Sequence, residues 1–444
     1  MNIIKKERSD NVIIHVVQNG DTLWKIARQY GTSVQRIIAD NNLNTQKGLV
    51  IGQALLILIP QTVHTVRPGD TLESIANMYR TSVMILLQNN PDLITNRTLY
   101  AGRAITVSFT EEKQRPIRVN GYAYPNINKD VLNKTLPYLS SLSIFSYGFT
   151  ESGELIPIND EPLINACRMY DVAPIMILSS ITEDGGFSTE RASRLFANRA
   201  AQNALIDKII VLMRQKGYVG IDIDFEYIDA NDGERYVEFV ENITDRLNNA
   251  GFSVNVDLAP KTSVAQRGLL YEGHDYSALG DAANTVLLMT YEWGYTYGPP
   301  MAVAPINQVR NVVRFAVSQI QPDKIFMGIP NYGYDWTLPY ERGTSAAKVV
   351  GNTEAINIAA TYGAAIMFDE TSQSPYFEYY ERGGRKHIVW FEDVRSIKAK
   401  FDVISDFDLL GAGYWTVMRP FAQNWSLLAT MFYIEKASDF VGNF

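Results

Sequence analysis

The 444-residue chain is 46% hydrophobic and 20% charged, which excludes a disordered protein and predicts two or three domains with sizeable cores. Its 40 basic residues are outnumbered by 48 acidic ones, and this net charge of −8 argues against nucleic acid or an anionic membrane as the main ligand. A single cysteine excludes an intramolecular disulfide and a cysteine metal cluster, and the four histidines are too scattered for a metal-ligand motif. We expect neither a cleaved signal peptide nor membrane insertion, because no apolar run of suitable length is present.

Two segments near the N-terminus repeat one another. The segment from His15 and the segment from His64 share H, V, GDTL, IA, Y, TSV and a closing N at matching places. In each copy a Gly-Asp-Thr turn precedes apolar residues at helical spacing, a Thr-Ser pair precedes a second helix, and an apolar run closes the unit. We therefore predict two strand-helix-helix-strand domains, at residues 12–60 and 62–109.

These repeats resemble the LysM domain, a family that binds glycans containing N-acetylglucosamine. The resemblance implies glycan contacts from the GDT loop and from the loop after the second helix, at Gly20, Asp21, Thr22, Leu23, Asn41, Asn42, Leu43, Gly69, Asp70, Thr71, Leu72, Asn90, Pro91 and Asp92. The Asp and Thr side chains could equally act only as helix caps, and both interpretations stay open. The second copy carries one extra residue at its Pro-Asp pair, so its groove is expected to differ.

An α/β barrel is predicted for the rest of the chain. Residues 110–117 are polar and are predicted to be a linker. Beyond them, β-rich runs alternate with helical segments, which is typical of a parallel α/β fold. Eight candidate strands predict a (β/α)₈ TIM barrel at residues 118–436: Val119–Ala123, Ser141–Tyr147, Ala173–Leu178, Gly220–Phe225, Ser253–Leu258, Thr285–Thr290, Lys324–Ile329 and Leu410–Trp415. Between the last two strands, residues 331–409 include two β-rich runs around a Gly-Gly pair, which predicts a small α+β insertion on the barrel rim.

Three alternating carboxylates stand in the fourth predicted strand. Asp222, Asp224 and Glu226 share one face of the strand, and apolar residues occupy the other. Inside a barrel they would climb toward the C-terminal mouth, where such folds place their chemistry. Their mutual repulsion is expected to keep at least one carboxyl protonated near neutral pH, as a general acid requires. An acidic surface strand and a Mg²⁺ or Ca²⁺ site are the alternatives.

The carboxylate run and three further motifs resemble the family 18 glycoside hydrolases, the chitinase-like barrels, over residues 118–436. The run is similar to the family's DxDxE motif, and the three others are Met289-Thr-Tyr291-Glu292, Gly413-Tyr414-Trp415 and Gly185-Gly186-Phe187. Two positions depart from the family pattern: Val219 replaces an Asp, and Glu292 replaces the Asp that usually follows the strand-six tyrosine.

The resemblance implies a retaining mechanism in which the substrate's own 2-acetamido group attacks the anomeric carbon. Glu226 would protonate the glycosidic oxygen, Asp224 would bind the acetamido N–H, and Asp222 would share a proton with Asp224. Tyr291 would donate to the acetamido oxygen, and Trp415 would form the floor beneath the sugar. Further substrate-binding candidates are Glu292, Trp293, Tyr227, Tyr147 and Tyr332. No metal or organic cofactor is implied.

Two LysM repeats before a family 18 barrel resemble the spore cortex-fragment-lytic glycosidases of endospore-forming bacteria. This implies a monomeric N-acetylglucosaminidase that acts on spore-cortex peptidoglycan during germination, located in the spore coat, the cortex or the cell wall, and held to its polymer by the LysM pair. The alternatives are a chitinase-like enzyme on another N-acetylglucosamine polymer and a glycan-binding coat protein without catalysis. No nucleic acid or membrane partner is expected.

Overall fold

The computed structural model describes residues 12–150, 153–182 and 186–442. It begins with two small units, whose strands pair antiparallel within each unit. The first unit comprises β1 (Ile13–Val16), α1 (Leu23–Tyr30), α2 (Val34–Asn41) and β2 (Ala54–Ile57). The second comprises β3 (Pro60–Thr65), α3 (Leu72–Met78), α4 (Val83–Asn89), α5 (Asp92–Thr95) and β4 (Ala104–Phe109). The extra helix α5 follows Pro91, whose φ of −57° already suits a first helical turn.

The residues that the two repeats share form the same hydrogen-bond network in each. His15 contacts the hydroxyl of Tyr30 at 3.1 Å and the carboxylate of Asp21 at 3.0 Å. In the second unit His64 makes the equivalent contacts at 3.2 and 2.9 Å. The threonine after each aspartate caps the helix that follows. The Asp and Thr of both GDT turns therefore have a structural role, whatever they contribute to glycan binding.

The barrel segment follows directly. Up to the insertion its elements are β5 (Pro116–Ala123), α6 (Lys129–Thr135), β6 (Ser141–Phe149), β7 (Leu155–Ile156), α7 (Glu161–Met169), β8 (Ala173–Ser179), α8 (Thr189–Phe196), α9 (Arg199–Lys216), β9 (Gly220–Asp224), α10 (Gly233–Asn249), β10 (Ser253–Leu258), α11 (Tyr276–Ala282), β11 (Thr285–Leu288), α12 (Ile306–Ala316) and β12 (Ile325–Pro330). One-turn 3₁₀ helices lie at Leu136–Tyr138, Ala230–Asp232 and Pro322–Lys324. Among all described residues, no helix has the length and apolarity needed to cross a membrane.

The remaining elements form the insertion and close the barrel. The insertion contains β13 (Gly333–Leu338), β14 (Lys348–Val350), α13 (Asn352–Tyr362), β15 (Met367–Asp369), β16 (Ser374–Tyr380) and β17 (Lys386–Trp390). The chain ends with α14 (Val394–Asp406), β18 (Gly411–Trp415), α15 (Ala422–Met431), β19 (Tyr433–Ile434) and α16 (Ala437–Phe440). Residues 331–409 thus hold more than the insertion, because α14 packs on β12 and α12 as a helix of the barrel.

Eight parallel strands close the barrel in the order β5, β6, β8, β9, β10, β11, β12 and β18, with β18 paired back to β5. This confirms the predicted (β/α)₈ fold. β9 and β11 end at Asp224 and Leu288, earlier than predicted, because the chain leaves the ladder at the C-terminal mouth. The residues that follow these two strands are therefore free to form the rim of a cleft.

The N-terminal units are docked onto the barrel. The predicted linker is short and ordered: Gln114 N–H donates to the carbonyl of Met431 at 2.8 Å, and Pro116 and Ile117 already belong to β5. Helix α15 packs against α2 and α4, and the apolar core runs without a break from the second unit into the barrel. Val50 of the first unit lies within the hydrophobic core of the insertion. The whole described chain therefore packs as one body.

Gln423 stabilises this docking. Its buried amide donates to Asn41 Oδ1 at 2.7 Å and to the carbonyl of Ala54 at 2.8 Å. We expect Gln423→Ala to lower the free energy of unfolding by about 1–3 kcal/mol, because buried polar partners lose their donor. Thermal denaturation measures the change. Gln46→Ala, at an exposed position of the same unit, is the control, and equal melting of the two variants would contradict the prediction.

Candidate active site

A cleft of about 560 Å³ opens at the C-terminal mouth of the barrel. Its walls come from the ends of β9, β10, β11 and β18 and from the loops that follow them. The lining residues are Asp224, Glu226, Tyr227, Asp257, Pro260, Leu270, Tyr271, Met289, Tyr291, Glu292, Trp293, Tyr295 and Trp415. This is the position where barrel enzymes hold their reacting groups, and seven of the residues predicted for the site meet there.

The three carboxylates in and just after the fourth barrel strand, β9, alternate as predicted. Ile221, Ile223 and Phe225 are buried in the apolar core outside the strand, which leaves the carboxylates pointing to the interior. Burial decreases along the series: Asp222 is fully buried, Asp224 is 4% exposed, and Glu226 is half-buried at the cleft. The acid expected at the mouth is therefore the most accessible of the three to a ligand in the cleft.

Asp222 lies beneath the cleft in a shell of hydrogen-bond donors. Its Oδ2 accepts from the hydroxyls of Tyr122 at 2.7 Å and Ser143 at 3.1 Å, and its Oδ1 accepts from the amide of Asn255 at 2.6 Å. Burial raises the pKa of Asp222, while these donors oppose the rise. Donor hydrogens aimed at a carboxylate disfavour a cation there, so this arrangement argues against the alternative of a hard metal site.

Of the three carboxylates, Asp224 has the fewest hydrogen-bond donors to offset its burial. Its Oδ1 is buried and has no hydrogen-bond partner among the described residues. Burial first, and then the charges of Glu226 and Asp222, raise the pKa of Asp224 well above its ordinary value. A buried polar atom without a partner is unfavourable, so Asp224 is poised to bond a polar group that enters the cleft.

Glu292 is held in an unusual backbone conformation beside Glu226. Its φ of 67° lies in the left-handed region, where a non-glycine residue is uncommon. The hydroxyls of Tyr332 and Tyr334 both donate to its carboxylate. Tyr332 is itself buried and does not line the cleft, so the predicted substrate contact from Tyr332 is wrong and its role is to hold Glu292.

The charge of Glu292 affects the pKa of Glu226. Burial raises the pKa of Glu226, and the neighbouring Glu292 carboxylate raises it further. We expect Glu292→Gln to lower the pKa of Glu226. Because the acid works in its protonated form, the loss of kcat/KM on the alkaline side should then begin at lower pH. The pH dependence of kcat/KM measures this shift, and Glu341→Gln, at an exposed position, is the control. If the alkaline decrease of kcat/KM begins at the same or at a higher pH in Glu292→Gln, the prediction is refuted.

Aromatic side chains form the floor and rim. Trp415 lies at the floor, with its ring centroid 5.8 Å from Tyr122 and 5.4 Å from Phe145. Trp293 and Tyr227 line the rim, and Tyr227 is 46% exposed. These surfaces suit the apolar face of a sugar ring.

One predicted aromatic contact lies elsewhere. Tyr147 is fully buried, and its hydroxyl donates to Asp160 at 2.6 Å and contacts the amino group of Lys216 at 2.9 Å. The side chain points away from the cleft because this ion-paired network lies between the strands and the outer helices. The prediction that Tyr147 binds substrate is therefore wrong. Gly185 of the proposed loop motif lies outside the described residues.

Sequence reasoning missed Asp257 and the loop residues of the rim. Asp257 belongs to β10, where Asn255 and Asp257 alternate with valines, and this is the same signal that identified the carboxylates of β9. Rim residues such as Leu270 and Tyr271 lie in a loop without periodicity, so no sequence pattern indicates them.

The first N-terminal unit carries a groove of about 490 Å³. Four of the predicted glycan contacts line it, namely Asp21, Thr22, Leu23 and Leu43. Trp24, which was not predicted, lies beside them with 63% of its surface exposed. Asn42, another predicted contact, ends α2 and lies in a crevice against the insertion instead. Gly20 makes the turn that precedes the groove, with φ of 84°.

Two of the other predicted contacts, Asn41 and Asn90, are not placed for glycan binding. Asn41 and Asn90 are buried, and each donates to two backbone carbonyls at 2.8–2.9 Å. Each side chain therefore stabilises the fold of its own unit. Pro91 and Asp92 line a crevice of about 390 Å³ against α6 and α15, and the Asp92 side chain is 65% exposed. The predictions for Asn41 and Asn90 are wrong because internal hydrogen bonds, which no motif reveals, occupy these side chains. For Gly69, Asp70, Thr71, Leu72, Pro91 and Asp92 the glycan contact stays a prediction.

The chain is similar to known proteins over nearly its whole length. "Glycosyl hydrolases family 18" matches residues 170–419, and "LysM domain" matches residues 15–58 and 64–108. The cortical fragment-lytic enzyme of Bacillus subtilis (strain 168) is 38% identical over 429 residues, covering 95% of this chain and 99% of that protein. Among solved structures, the spore cortex-lytic enzyme SleL of Bacillus cereus is 34% identical with a TM-score of 0.82, and SleL of Bacillus megaterium QM B1551 is 37% identical with a TM-score of 0.81. Each alignment covers 96% of this chain and 99% of the other.

Proposed function

Because the chain belongs to family 18 of the glycosyl hydrolases, we propose that it is a retaining N-acetylglucosaminidase that cleaves spore-cortex peptidoglycan during germination. The observation that carries the proposal is the carboxylate series that ends at Glu226 in the cleft, above the buried Asp222 and Asp224. The glycosidase class and the N-acetylglucosamine ligand follow from the family 18 and LysM matches. The cortex as the polymer is supported by the cortical fragment-lytic relatives.

Bond cleavage begins with proton transfer from Glu226. Burial and the Glu292 carboxylate raise the pKa of Glu226, which favours the protonated form that can give its proton to the glycosidic oxygen as the bond breaks. The carbonyl oxygen of the 2-acetamido group attacks the anomeric carbon and forms an oxazolinium ion. Water, deprotonated by the Glu226 carboxylate, then opens this ion at the anomeric carbon. Two inversions give net retention.

The acetamido group is oriented by the cleft. Asp224 Oδ1, which has no partner within the described structure, accepts the acetamido N–H and stabilises the positive charge of the oxazolinium ion. Tyr291 donates its hydroxyl to the acetamido oxygen, and Trp415 packs under the pyranose. The mechanism therefore demands an N-acetylated sugar on the non-reducing side of the bond. Cellulose and starch lack this group and are excluded as substrates.

Product analysis tests the proposal. Purified cortex peptidoglycan and chitin oligomers are digested in parallel, and the soluble fragments are identified by mass spectrometry. We expect cortex fragments that end in reducing N-acetylglucosamine, and none from the Glu226→Gln variant. Cleavage of chitin alone would assign the enzyme to another N-acetylglucosamine polymer, and binding without any cleavage would leave a glycan-binding coat protein.

We also propose that the protein works as a monomer at the spore cortex or cell wall. The catalytic cleft and the groove of the first LysM unit lie on the same body, so one chain carries both surfaces that the proposed function needs. Sedimentation of the purified protein tests the oligomeric state, and fractionation of spores tests the location.

Trp24 is expected to strengthen glycan binding by the first LysM unit. Its exposed ring beside the groove can pack on the apolar face of a sugar. Trp24→Ala should weaken binding to insoluble cortex peptidoglycan by about 5- to 30-fold, which corresponds to burial of one aromatic face. Binding is measured in the Glu226→Gln background, so that the polymer is not digested. Met169→Ala, which also removes an exposed apolar side chain, is the control, and equal binding by the two variants would contradict the assignment.

A further inference from the structure

The carboxyl cluster contains a fourth member that the proposed mechanism does not use. Asp257 lies on β10, is 3% exposed, and borders both the cleft and the buried Asp222. The groups that interact with it electrostatically are two carboxyls and three tyrosines, namely Asp222, Asp224, Tyr122, Tyr236 and Tyr291. None of these groups is a cation that could stabilise an ionised Asp257.

One hydroxyl group bridges Asp222 and Asp257. The Tyr122 oxygen lies 2.7 Å from Asp222 Oδ2 and 2.9 Å from Asp257 Oδ1. A hydroxyl carries a single hydrogen, so it cannot donate to both carboxylates at once. The two carboxyl groups are also hydrogen-bonded to each other, which requires a proton on one of them. The pair therefore holds one shared proton.

The other donors decide which carboxyl is ionised. Asp222 accepts from Ser143 at 3.1 Å, and the amide of Asn255 lies 2.6 Å from Asp222 but 3.1 Å from Asp257. The stronger set of donors stabilises the anion on Asp222. Asp257 has only the longer contact with Asn255 and the Tyr122 hydroxyl that it shares with Asp222. The proton of the pair is therefore more stable on Asp257.

We propose that Asp257 is a positioning residue that holds the proton of this pair and keeps Asp222 ionised beneath Asp224. This inference rests on the proposed function. When Asp224 turns to the acetamido N–H, its carboxyl proton passes to the ionised Asp222, and it returns when the product leaves. Asp257 keeps its own proton throughout, so no proton is gained or lost by the cluster. Without Asp257, Asp222 has lost the donor that stabilises its anion.

Infrared spectroscopy of the resting protein tests where the proton is. In an Asp224→Asn, Glu226→Gln parent, adding Asp257→Asn should remove one protonated-carboxyl band at neutral pH, whereas adding Asp222→Asn should leave a band of this kind. The reverse pattern, or no band lost in either variant, would overturn the proposal. This measurement does not depend on hydrolysis, so a protein that cleaves no glycan would refute the proposed function separately.

Kinetics test whether the proton matters to the reaction. In the otherwise unchanged protein, Asp257→Val should lower kcat by about 10²-fold, as expected for a lost electrostatic contact. Asp257→Asn can still donate to Asp222, so it should recover at least tenfold of that loss. The pH profile of the Val variant should also change shape, because Asp222 then titrates without its donor. Equal loss in both variants, with an unchanged pH profile, would reduce Asp257 to a packing residue and overturn the proposal.

Discussion

Replacing Glu226 with glutamine is expected to lower kcat on cortex peptidoglycan by about 10²- to 10⁴-fold, the usual contribution of a general acid. Glutamine has nearly the same shape, but it has no proton to give to the glycosidic oxygen. Glu226 is half-buried at the mouth of the cleft, so replacing it should leave the fold intact. Single-turnover and steady-state rates on one defined cortex fragment measure the effect.

Two comparisons make this result specific to the acid. Glu241→Gln makes the same chemical change on the exposed surface of α10, and its rate should match the unchanged protein. Binding of the Glu226→Gln variant to the polymer should persist, because the LysM groove lies on another unit. Equal product release by the Glu226→Gln variant and the unchanged protein would remove Glu226 from the mechanism.

Replacing Asp224 with asparagine is expected to lower kcat by about 10²- to 10³-fold with a smaller effect on KM, because the lost charge stabilises the transition state more than bound substrate. Asparagine can still accept the acetamido N–H through its oxygen, but it cannot become an anion beside the oxazolinium ion. The buried oxygen of Asp224 has no other partner in the described structure. The steady-state rates of Asp224→Asn and of the exposed control Asp245→Asn give the comparison.

A change of substrate gives an independent check on the same step. Peptidoglycan from which the N-acetyl group has been removed lacks the attacking oxygen, so the unchanged protein should not cleave it at a measurable rate. Cleavage of the deacetylated polymer at the normal rate would exclude substrate assistance.

The barrel was predictable because its strands are encoded by local patterns. β9 combines outward-facing apolar residues with inward-facing carboxylates, and this alternation indicated both a strand and a site. The LysM repeats were predictable for the same reason, since each copy carries its own turns and caps. The ends of the strands were predicted less accurately than their positions. β11 stops pairing with its neighbours at Leu288, and this point depends on the adjacent strands and not on local sequence.

The errors share a physical cause. Tyr147 and Asn41 were predicted to contact ligands, but each bonds to a partner that is distant in sequence or sits on another element. Such partners depend on packing across the whole molecule. Asp257 differs, because its signal was present in the alternation of β10, yet its importance follows only from the shared hydroxyl of Tyr122. The contacts between neighbouring strands therefore show the role of Asp257, which the linear sequence does not.

Deleting the first LysM unit would do more than remove a carbohydrate-binding module. Val50 of that unit is part of the hydrophobic core of the insertion, and the insertion supplies Tyr334, which donates to Glu292. A truncated enzyme would expose an apolar surface and loosen the wall of the catalytic cleft. A loss of activity after truncation therefore cannot be credited to weaker attachment to the polymer. Chimaeras that exchange LysM units between enzymes need to carry the facing surface of the insertion with them.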